Sequence, residues 1–126
     1  MPAGLYHYDP FAHALEPIAG FDVRCQALLS AMTGGAQLAD APLVIAMASR
    51  FQRRSWKYAG IAYANGLKGA GVLQETMMLV ASDMGWPARA VAADDDVGFA
   101  AVTGLDREIE GLVGGMVLAW GSEPTA

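Results

Sequence analysis

The segment from Lys57 to Met84 constrains this chain most. Ala70, Leu73, Met77, Val80, Ala81 and Met84 recur at helical spacing and form one apolar stripe. Val72, Thr76 and Leu79, on other faces, are uncharged as well. A helix that is apolar nearly all round is a buried one, so the rest of the chain must fold around it. Gly66, Gly69 and Gly71 each cost about 1 kcal/mol of helix propensity against alanine. The pattern therefore predicts either a break there or something packed against bare backbone. Gly85 ends the helix, and Pro87 prevents its continuation.

Around this helix the remaining patterns alternate between strand and helix. Residues 4–8, rich in β-forming aromatics, read as a short strand that stops at the turn signal Asp9-Pro10. His13 to Ile18 reads as its return strand, with Pro17 indicating an edge position. Phe21 to Met32 has Val23, Ala27, Leu28 and Ala31 at helical spacing and is stopped by Gly34-Gly35. The run from Ala41 to Ala48 is apolar and partly β-branched, as in a strand buried on both faces. Ala88 to Ala92 reads as a further strand. Asp94 to Val102 opens with acid suited to a helix N-terminus. Gly111 to Trp120 reads as a last buried strand. No repeat, low-complexity tract or long linker divides the chain, so residues 1–126 are expected to form a single domain, an α+β or α/β sandwich around one sheet.

Composition excludes several classes of function. With 126 residues and 54% hydrophobic content the chain can bury a core, at about two-thirds of its unfolded surface. A net charge of −5 argues against nucleic acid as a partner. No apolar run approaches the roughly 18–20 residues that span a bilayer, and the start lacks a signal peptide's order, so no membrane partner is expected. The single cysteine, Cys25, can form neither an internal disulfide nor a thiolate zinc site, and a cytoplasmic location is expected. Within this acidic chain, four of the eight cations (Arg50, Arg53, Arg54 and Lys57) fall in one eight-residue stretch.

That stretch carries the strongest chemistry. Residues 50–58, Arg-Phe-Gln-Arg-Arg-Ser-Trp-Lys-Tyr, join a buried strand to a buried helix, where α/β proteins commonly bind ligands. Arginine offers a planar fork for phosphate, and a helix start offers free N–H groups. Lys57 beside Tyr58 places an ammonium next to a phenol, which eases deprotonation of the phenol when both are partly desolvated and suits the two to acid/base work. The competing reading is a solvated basic connector with Trp56 and Tyr58 as core aromatics. His7 and His13 match no metal-binding spacing, and no metal site is expected. Cys25 reads as a packed thiol, Asp94 to Asp96 as a helix cap, and Gly114-Gly115 as a close backbone approach.

Several of these residues also carry a family resemblance. Gly4-Leu5-Tyr6-His7-Tyr8-Asp9-Pro10 with His13 and Leu15 resembles a hairpin of the nitroreductase superfamily, specifically its SagB-type dehydrogenases. Arg50-Phe51, Arg53, Trp56-Lys57-Tyr58 and Ile61-Ala62-Tyr63 resemble a second segment of that family. Gly71, Leu73, Thr76-Met77, Leu79-Val80-Ala81 and Met84-Gly85 follow along the next helix. Thr103-Gly104-Leu105-Asp106, Glu110 and Val113-Gly114 fall near the C-terminus. The likeness covers nearly the whole chain but corresponds only to the C-terminal half of the family's enzymes.

The resemblance implies a nitroreductase-like sandwich, here a partial fold, with a mixed or antiparallel sheet and the long helix buried. It implies an FMN-dependent oxidoreductase that oxidises azoline-type heterocycles in peptide natural products. The substrate would be a modified peptide or a small heterocycle. The partner would be a nitroreductase-like chain, in a homodimer or heterodimer. Lys57 and Tyr58 would be the acid/base pair, and Arg50 and Arg53 the anion-facing cofactor contacts. Ala92 and Ala93 stand where relatives carry a Gly-rich turn beside the flavin, and Gln74-Glu75 where relatives carry a Tyr-Gln pair. An alternative is a non-catalytic, degenerate subunit that completes a dimer with an active partner. A third is a small binding domain without flavin.

Overall fold

The computed structural model describes residues 1–34, 43–53, 59–91 and 94–118. The aromatic N-terminus forms strand β1 (Gly4–Asp9), paired antiparallel with β2 (Ala14–Gly20) in a two-stranded hairpin. Asp9 builds the turn, its Oδ1 accepting from the Phe11 and Ala12 amides at 2.8 and 3.3 Å. Helix α1 (Val23–Thr33) follows. Its cap is Asp22, whose side chain accepts from the Arg24 and Cys25 amides, and Gly34 closes it in the left-handed region at φ 69°.

The main sheet has strand order β3-β5-β4, with β3 (Leu43–Ser49), β4 (Ala88–Val91) and β5 (Gly111–Leu118). Both pairings are antiparallel, so of the mixed and antiparallel alternatives the described strands adopt the second. A 3-10 turn (Ala59–Ile61) leads into the long helix α2 (Ala62–Asp83), and α3 (Asp96–Thr103) precedes β5. Asp95 caps α3 by accepting from the Gly98 amide, as the acidic run suggests. No helix among the described residues is long and apolar enough to cross a membrane.

Alternation along β3 sends its residues to two separate cores. Val44 and Ala46 face α1 and α3, joining Cys25, Leu28, Met32, Phe99, Val102 and Leu112. Leu43 and Ile45 face α2, joining Met77, Met78, Ala81, Trp86, Met116 and Leu118. The sheet is thus the middle layer of a sandwich, with two helices on one face and one on the other.

The long helix differs from its expected burial. It runs unbroken through its glycines, but within this chain it buries only one stripe, led by Ala62, Gly66, Ala70 and Ala81. Leu73, Val80 and Met84 of the expected core stripe stay 50%, 53% and 54% exposed, and Val72 and Leu79 are exposed too. The physical reason is coverage. A helix about 10 Å across shields roughly two strands spaced about 4.8 Å apart, and α2 has no neighbour on its face among the described helices. Gly66 meets a packed neighbour, because a Cβ there would sit 3.5 Å from the Phe51 ring. Gly71 faces open space.

Candidate functional site

The site begins where β3 ends. Ser49 pairs with Gly111, so Arg50 and Glu110 are the next residues beyond the ladder on each strand. The Arg50 guanidinium donates from Nε to Glu110 Oε2 at 2.9 Å, and Glu110 is only 16% exposed. One residue on, Phe51 packs its ring against Tyr63 of α2, with centroids 5.3 Å apart. The Arg53 amide then donates to the Arg50 carbonyl at 3.1 Å, closing a turn. The opposite wall is a loop that leaves α3 through Gly104 at φ 72° and turns on Asp106. The Asp106 carbonyl accepts from the Ile109 and Glu110 amides, and its Oδ1 accepts from the Glu108 amide.

Between these walls lies an open groove of about 510 Å³, a size typical of ligand sites. Arg50, Gln52 and Arg53 line one side, and Leu105, Asp106, Ile109 and Glu110 the other. Two cations therefore face two carboxylates. Arg53 is exposed and makes no ion pair among the described residues.

The structure brings two of the six candidate residues together. Arg50 and Arg53 line one groove, whereas Lys57, Tyr58, Ala92 and Ala93 lie outside the described residues. An anionic flavin fits the described residues at Arg53 and poorly at Arg50, whose charge is already met by Glu110. The glycine pair in β5 offers no cradle for a cofactor. A Cβ on Gly115 would come within 2.9 Å of the Ile45 carbonyl oxygen, and one on Gly114 within 3.1 Å of Gln74 Oε1. Gln74 in turn donates to the Gly115 carbonyl at 3.0 Å, tying α2 to the sheet.

Glu110 is the residue that sequence reasoning left unplaced. Its charge is visible in the sequence, but only strand register sets it against Arg50. Elsewhere, Cys25 is buried with its Sγ 3.4 Å from the Gly20 carbonyl oxygen, a packed thiol. His13 lies 2.9 Å from the Tyr8 hydroxyl through Nδ1, at the exposed hairpin tip. The Arg24 guanidinium, hydrogen-bonded to Asp22, holds that carboxyl below its usual value, and neither residue lines the groove.

An antiparallel sheet between helical layers, with a cationic strand-to-helix segment at its edge, defines an α+β sandwich of the nitroreductase type. Residues 8–121 match the Nitroreductase family, and the chain belongs to that family. Among solved structures it is similar to a chain of the E. coli microcin synthetase McbBCD complex with truncated pro-MccB17 bound. The two share 25% identity at a TM-score of 0.77, over 94% of this chain and 44% of that one. It also resembles in fold a protein from Anabaena variabilis described as a nitroreductase. There the identity is 23% and the TM-score 0.81, over 94% of this chain and 24% of the other. The chain thus spans less than half the length of either structure. No curated protein sequence matches it.

Proposed function

We propose that the chain forms part of an FMN-dependent oxidoreductase of the SagB-type dehydrogenase class, acting on azoline-type rings in a modified peptide. The observation that carries this reading is the groove at the end of β3, with an unpaired Arg53 among the described residues at the root of the Trp56-Lys57-Tyr58 segment. The family match and the likeness to a chain from a peptide-bound synthetase complex support it. Bound FMN would supply a two-electron acceptor. Arg53 would hold the cofactor's anionic end, and Lys57 with Tyr58 would accept the proton that leaves the ring as it becomes aromatic.

The partner is a second nitroreductase-like chain seated on the bare flank of α2. Leu73, Met77, Val80 and Met84 follow one another at three- and four-residue steps, as a helix-packing ridge does. Beside them is an apolar groove of about 220 Å³, lined by Ile45, Trp86, Met116 and Leu118. Copies carrying −5 each repel one another, so this uncharged ridge is where a second copy can approach. A homodimer is therefore the proposed form.

The balanced charge of the groove favours a second reading, a degenerate subunit that completes an assembly without holding flavin itself. An FMN titration separates the two. Quenched flavin fluorescence and a raised Tm, both weakened by Arg53→Gln, support the enzyme. A purified assembly that leaves FMN fluorescence and Tm unchanged is the subunit.

A further inference from the structure

Arg50 and Arg53 are three residues apart on one wall of the groove, yet their situations differ. Arg53 points into an open, solvated space, whereas Arg50 closes the β3-β5 ladder on the carboxylate of Glu110. Glu110 is largely buried, so removing Arg50 would leave a carboxylate short of its counter-charge. A phosphate approaching Arg50 would have to displace that carboxylate or sit beside it, with Asp106 also lining the groove. The same arginine roots residues 51–53, because its carbonyl accepts the Arg53 amide and its neighbour Phe51 is wedged against Tyr63 and Gly66.

We propose that Arg50 is a positioning residue and not an anion ligand. Its pair with Glu110 anchors residues 51–53 and so places Arg53, which alone serves as the groove's anion contact. Glu110 thereby sets the groove's selectivity, since it cancels one of the two charges a phosphate would need. Only the role of Arg53 rests on the flavin reading; the anchor itself does not.

The test compares R50Q, E110Q, the exchanged pair R50E/E110R and R53Q in the full chain. Tm is followed alongside titrations with inorganic phosphate and FMN. R50Q and E110Q should each lower Tm by several degrees, and the exchanged pair should recover most of that loss. E110Q should bind phosphate and FMN several-fold tighter, R50Q only modestly more weakly than the parent because Glu110 is then unmatched, and R53Q at least tenfold more weakly. Loss of phosphate or FMN binding in R50Q equal to that in R53Q overturns the proposal. Failure of the exchanged pair to recover Tm overturns it as well. If the parent binds neither phosphate nor FMN, the flavin reading of Arg53 fails, and recovery of Tm in the exchanged pair alone decides the anchor.

Discussion

The two faces of the central sheet are built from similar residues and finished differently. On one face α1 and α3 lie side by side, and Cys25, Leu28, Met32, Phe99 and Val102 are all buried between them and the strands. On the other face α2 is the one helix among the described residues. Its inner stripe is buried, while Leu73, Val80 and Met84 remain half-exposed beside an apolar groove. Local sequence is equally apolar in both places, so the difference is one of neighbours. Among the described residues one face is closed within the chain, and the other presents a surface suited to a further chain.

Substitutions can break or sharpen this contrast. The largest effect belongs to the closed parts of each core. Met116→Ala, at a fully buried site under α2, should cost about 2–5 kcal/mol in denaturant unfolding, as should Leu28→Ala on the opposite face. Equal costs would show that α2 covers its own strip as firmly as the helix pair covers theirs. Leu73→Ala should cost about 1 kcal/mol or less in the separated chain, because the side chain is half in water already. A core-sized loss there would mean the flank is closed after all.

Glycine exchanges probe the same layers more finely. Gly115→Ala should destabilise by about 1–3 kcal/mol, because the new methyl meets the Ile45 carbonyl and the end of Met32. Gly71→Ala, in open space on α2, should stabilise by up to about 1 kcal/mol. Thermal unfolding of both variants checks the sign. The smallest effect lies at the start of α1. Asp22 has its pKa lowered by its hydrogen bond with Arg24 and by the amides it caps, so the folded form holds it charged more firmly than the unfolded form does. Its contribution is therefore complete above the ordinary aspartate pKa and is lost as pH falls through the lowered value. Asp22→Asn should flatten the acid limb of stability slightly, measured by unfolding between pH 5 and pH 2.

Much of the fold was legible because its signals are local. The hairpin follows from aromatic residues around Asp9-Pro10, α1 from its spacing and Gly34, and β5 from its apolar run. Helix α2 was legible as a helix but not in its burial. Periodicity reports which residues are apolar and says nothing about whether the chain owns the element that covers them. The site divides the same way. Arg50 and Arg53 stood out as clustered cations, and the structure does place them on one groove. That Arg50 is matched by Glu110, sixty residues away, depends on strand register and could not be read from spacing. Lys57, Tyr58, Ala92 and Ala93 keep the roles the resemblance implies as proposals, since they lie outside the described residues.

We propose that the exposed flank of α2 seats a second copy of this chain. Light scattering on the purified protein, with and without Val80→Asp, tests it most directly. The prediction is a species of twice 13.2 kDa that Val80→Asp reduces to a single folded chain with unchanged circular dichroism. A parent protein that stays at 13.2 kDa up to high concentration, with Val80→Asp making no difference, would contradict it.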